Sequence, residues 1–82
     1  MESHALVALW RERCLEARRQ FELARLQAAQ TQRAGDANAY RDALERESAA
    51  CDEYTRVLKL YTDLLVHGRI PDEMPRKRAA AT

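Results

Sequence analysis

The sequence predicts an all-α fold: an antiparallel two-helix hairpin with a coiled-coil-like seam, expected to complete a four-helix bundle on dimerisation. Three observations carry that prediction. Gly and Pro occur only twice each among 82 residues, and Ala, Arg, Glu and Leu dominate, which is a composition of good helix formers. The breakers stand at Gly35, Gly68, Pro71 and Pro75, so two uninterrupted stretches of similar length precede them. Within each stretch apolar residues recur alternately every three and four positions, the period of a helix seam.

The first helix is expected at about 4–34, with the Ser3 hydroxyl accepting from an orphan N–H at its start. Gly35 ends it, because a residue after a helix often turns left-handed and Gly does so without steric cost. Asp36 follows and can cap a second helix, expected at about 37–67. Gly68 ends that helix in the same way, Ile70 is expected to fold back on its last turn, and Pro71 prevents its resumption. Residues 1–70 thus read as one hairpin domain, and 71–82 as a flexible basic tail containing Arg76, Lys77 and Arg78. Two helices of this length joined by so short a break must run antiparallel.

The seam residues predicted on the first helix are Val7, Trp10, Cys14, Ala17, Phe21, Ala24, Ala28 and Thr31. Those predicted on the second are Tyr40, Leu44, Glu47, Cys51, Tyr54, Leu58, Tyr61 and Leu65. Folding the chain at Gly35 sets Trp10 against Tyr61, Cys14 against Leu58, Ala17 against Tyr54 and Phe21 against Cys51. Along the middle of the seam large then faces small, which lets layers interdigitate. Cys14 and Cys51 fall about two helical turns apart, roughly 10 Å, too far for a disulfide. Both are expected as free, buried, small hydrophobes. The three tyrosines are expected as core rather than as a stacking platform. Glu47, the one charged seam residue, is expected to reach Arg25 or Gln20 across the hairpin.

A second stripe, Ala43, Ala50, Val57 and Leu64, runs beside the predicted seam. With the outward Leu9, Leu23 and Leu26 it is the expected partner-binding surface, since two helices alone bury little. The partner expected is a second copy, or another helical protein. Adaptor, small chaperone and regulatory subunit all fit such a module.

Other classes fit less well. The net charge of +1 supplies no global field for nucleic acid or membrane. Its distribution is uneven: +2 over residues 1–35, −3 over 36–67 and +2 over 68–82. A nucleic-acid-binding regulator using Arg11, Arg18, Arg25, Arg76, Lys77 and Arg78 is the alternative reading. His4, His67 and Asp63 meet at one end of the hairpin and are the only metal candidates; frayed ends and a missing Glu-x-x-His pair argue against them. No nucleophile–base pair, Gly-rich loop or paired carboxylates suggest an enzyme, a cofactor or a small-molecule substrate. No apolar run approaches a membrane span, and the start lacks the basic region of a signal peptide. Cytoplasmic location is therefore expected, and the excess of Arg over Lys suits a bacterial genome of high GC content.

Overall fold

A computed structural model describes residues 2–72, with side chains from His4 onward. It contains two helices, α1 (Glu2–Ala34) and α2 (Ala37–His67), packed along their lengths as an all-α hairpin. Helix α1 begins at Glu2, so Ser3 lies inside its first turn rather than capping it.

The turn is built by two residues. Gly35 takes φ 78° and donates its N–H to the Gln32 carbonyl at 3.2 Å. Asp36 stays extended and caps α2, its Oδ1 accepting from the Ala39 N–H at 3.1 Å. Its carbonyl accepts the first intrahelical bond, from the Tyr40 N–H at 2.9 Å. At the far end Gly68 is left-handed at φ 64° and donates to Leu64, while Arg69 donates to Asp63. These paired bonds satisfy carbonyls that the helix end would otherwise orphan. The chain then folds back, but Ile70 is not the residue that docks. Ile70 is 63% exposed, and Pro71 is buried instead, beside Leu60 and Asp63. The fold therefore includes Pro71, one residue beyond the expected boundary. Arg76, Lys77 and Arg78 lie outside the described residues.

The inner face of α1 matches the periodicity. Trp10, Cys14, Ala17, Ala24 and Ala28 are buried, and Val7, Phe21 and Thr31 are half-buried. The inner face of α2 is rotated from the expected one. Tyr40, Glu47, Tyr54 and Tyr61 are half-buried as seam residues should be, but the alternate positions are Ala43, Ala50, Val57 and Leu64. Ala43, Val57 and Leu64 are buried within the hairpin itself, and Ala50 is half-buried. The stripe expected to await a partner is thus the seam, and Leu44, Leu58 and Leu65 are left outside at 42, 41 and 53% exposure.

Side-chain size accounts for the rotation at two layers, where Ala43 and Val57 are smaller than Leu44 and Leu58. Each layer of α2 offers two adjacent apolar residues: Ala43-Leu44, Ala50-Cys51, Val57-Leu58 and Leu64-Leu65. A one-residue step turns the helix by about 100°, so periodicity alone admits either choice. Small residues inward allow the backbones to approach, and Trp10 fills the space that Val57 and Leu64 leave at the open end. The seam consequently tapers, from Ala24, Ala28 and Ala43 near the turn to Trp10, Cys14, Val57 and Leu64 at the opposite end. Leu6, Val7, Tyr54, Leu60 and Tyr61 pack around that larger cluster.

Trp10 is fully buried, and its ring carries the Arg13 guanidinium 4.6 Å from the centroid. Its indole N–H has no hydrogen-bond partner among the described residues.

A candidate partner-binding surface

Two grooves flank the seam, and they differ in chemistry. The first is an open depression of about 440 Å³ whose lining includes Leu9, Glu12, Glu16 and Gln20. Charge pairs cross it and crowd its rim. Arg13 Nη2 lies 3.9 Å from Glu53 Oε2, joining α1 to α2, and Glu53 also holds Arg56 at 2.8 Å. Glu16 pairs with Arg19 and accepts from Gln20 at 2.8 Å. Exposed pairs of this kind add little stability each, and they rim a lining that is itself largely apolar, with Leu9, Ala17, Ala50 and Val57.

The second groove lies on the opposite side. Arg11, Arg18 and Arg25 each follow a seam residue of α1 (Trp10, Ala17 and Ala24), and Leu44, Cys51, Leu58 and Leu65 each follow a seam residue of α2. At about 100° per residue both rows turn to the same side of an antiparallel pair. One wall is therefore apolar and the other basic. The floor between them is formed by the half-buried Phe21, Tyr40, Tyr54 and Tyr61. Phe21 and Tyr54 stack across the seam, centroids 6.3 Å apart with 28° between planes. Such aromatic pairs add about 0.5–1.5 kcal/mol beyond their burial.

The basic wall is only partly neutralised. Arg18 pairs with Glu22 one turn away, Nε to Oε2 at 3.2 Å. Arg25 lies over the Phe21 ring at 5.9 Å rather than reaching Glu47. Gln20 is engaged by Glu16, so neither expected partner of Glu47 meets it. Glu47 is half-buried on the floor, with no hydrogen bond or ion pair to any described residue. Along α2 this side carries Ser48, Thr55 and Thr62 beside the leucines, whereas Asp42, Glu45, Asp52 and Glu53 turn away from it.

Of the residues expected to bind a partner, Leu9, Leu23 and Leu26 are exposed at 39, 46 and 58%. They do not share a patch with the α2 leucines. Leu9 lines the groove rimmed by charge pairs, and Leu26 stands over a separate hollow with Glu22, Arg25 and Ala29. His4 and His67 are both exposed, and Asp63 is tied to Lys59 at 3.3 Å. Among the described residues no three His, Cys, Asp or Glu side chains gather where a metal ion could be held. Both cysteines are free. Cys14 is buried, and the loss of water around it raises its thiol pKa above the ordinary value. Cys51 is only half-buried, less covered than expected, because it lies in the apolar wall beside the seam.

No helix among the described residues is long and apolar enough to cross a membrane. No family model, curated protein or solved structure matches this chain.

Proposed function

We propose that the protein is an interaction module, which presents the leucine-walled side of its hairpin to another polypeptide. The observation that carries this reading is the row Leu44, Leu58 and Leu65, exposed on a seven-residue spacing whose remaining member is the half-buried Cys51, beside a half-buried aromatic floor. Single exposed leucines are ordinary, but an apolar row along a helix that already buries its seam is a surface another chain can cover. A second copy would complete a four-helix bundle, and a foreign helix would complete a smaller one. The roles that fit are adaptor, small chaperone or regulatory subunit.

Photo-crosslinking tests the reading. A benzophenone side chain placed at Leu58, and separately at its exposed neighbour Lys59, is activated in cells of the native host. A discrete polypeptide adduct from position 58 and none from 59 is expected. Equal labelling at both positions, or none at either, would refute the module.

A further inference from the structure

We infer that the leucine-walled groove accepts an acidic amphipathic helix from another protein, its apolar stripe on the leucines and its carboxylates along the arginines. The inference rests on the interaction-module reading and names the chemistry of the partner. Shape gives the first argument. The row from Leu44 to Leu65 runs about 32 Å, the length of a helix of about 21 residues. A helix laid between α1 and α2 would touch Leu58 on one side and the Phe21–Tyr54 stack beneath. This is the helix-in-groove mode of recognition.

Charge gives the second argument, and it selects among occupants. Arg11, Arg18 and Arg25 form the facing wall, three cations against Glu22 beside them and Glu47 on the floor. Their aliphatic stems can lie along a docked helix while the guanidiniums reach carboxylates at its edge. A second copy docked with α1 on α1 would oppose two arginine rows. One docked with α1 on α2 would set arginines against Leu44 and Leu58, because the acids of α2 face elsewhere. Neither arrangement answers the basic wall, whereas an acidic helix does. Glu47, half-buried without a partner on the floor, adds a detail. The docked helix meets it with a hydrogen-bond donor, which fixes register as a lone polar seam residue can.

Two synthetic helical peptides of about 21 residues test this with the whole chain. Both carry a leucine stripe; one is flanked by Glu, the other by Lys. Fluorescence anisotropy should show the Glu peptide binding at least about tenfold more tightly, with the preference fading between about 0.05 and 0.5 M salt. In the doubly substituted Arg18→Glu, Arg25→Glu chain the preference should reverse. Leu58→Asp should abolish binding of the Glu peptide with helicity retained. Equal binding of the two peptides, binding of neither, or a preference untouched by charge reversal would overturn the inference. So would a concentration-dependent dimer by light scattering that Leu58→Asp dissolves, since a second copy then owns the groove. RNA retention that survives Leu58→Asp, without peptide binding, would assign the arginines to phosphate instead. If Leu58 crosslinks a chain in cells yet the peptides show no charge preference, the module stands and only its acidic partner falls.

Discussion

Replacing Trp10 in two ways separates what its ring fills from what its indole N–H lacks. Trp10 is the largest side chain that the hairpin fully buries, and its N–H is unpaired. Trp10→Ala leaves a cavity in the cluster with Cys14, Val57 and Leu64, and large-to-small changes of this kind cost about 3–5 kcal/mol. A chain of this length holds roughly 4–12 kcal/mol in total, so the Ala variant should lose from about a quarter to all of its stability. Trp10→Phe is different. It gives up roughly 1 kcal/mol of apolar burial at about 25 cal/mol per Å². The contact with Arg13, worth about 0.5–1 kcal/mol, weakens as well. Against these losses, it removes a buried, unsatisfied donor whose desolvation costs about 1–3 kcal/mol. The net runs from about 1 kcal/mol destabilising to about 1.5 kcal/mol stabilising. Urea titration followed by circular dichroism at one fixed protein concentration reads both values. A Phe variant destabilised as much as the Ala variant would refute the reasoning. It would mean that the indole nitrogen makes a bond in solution, or that the bicyclic shape itself holds the cluster.

The rotation of α2 is tested by adjacent residues. Val57→Asp buries a carboxylate without a partner and should cost about 3 kcal/mol or more, whereas Leu58→Asp should change monomer stability by about 1 kcal/mol or less; thermal melts showing the reverse order would restore Leu58 to the seam. The thiols should differ as well. Cys14 ionises above its ordinary pKa because burial disfavours the thiolate, so a disulfide reagent at mildly alkaline pH should label Cys51 first and Cys14 only on unfolding, with Cys51→Ser removing the fast phase. The linked effect on stability has a definite sign: the unfolded Cys14 loses its proton first, so the fold weakens as pH rises through the ordinary thiol range, and Cys14→Ala flattens that decline.

Much of this architecture was legible because its determinants are local. Gly35 and Asp36 carry the turn through backbone freedom and a capping carboxylate, and both chemistries are visible in two letters. The α1 seam was legible because one apolar stripe stands clear there, with Arg, Gln and Glu on most other positions. On α2 the doublets Ala43-Leu44 and Val57-Leu58 make two adjacent apolar stripes with the same period, and hydrophobicity favours the larger residues. Packing decided for the smaller ones, which is information about the opposite helix rather than about α2. The candidate site inherited that error: Val57 and Leu64 were assigned outside and Leu58 and Leu65 inside, a swap of faces. The signal that could have corrected it was Trp10, whose volume favours Val57 over the bulkier Leu58 across the seam. Glu47 was legible as an oddity, but its lack of a partner depends on Arg25 stacking over Phe21, which no spacing rule encodes.

The taper of the seam also determines how the hairpin opens. In many hairpins the turn end is the anchor and the free ends fray. Here the alanines near the turn give little burial, and the bulk of the apolar contact joins residues separated by most of the chain. Closing the turn alone therefore wins almost nothing, since the loop-closure entropy precedes the contacts that offset it. The two helices gain when Trp10 docks, and they lose together when it leaves. Such a chain opens as one unit rather than unzipping from its ends. Amides beside Gly35 should exchange with solvent no more slowly than those flanking Trp10, despite lying next to the shortest link in the molecule.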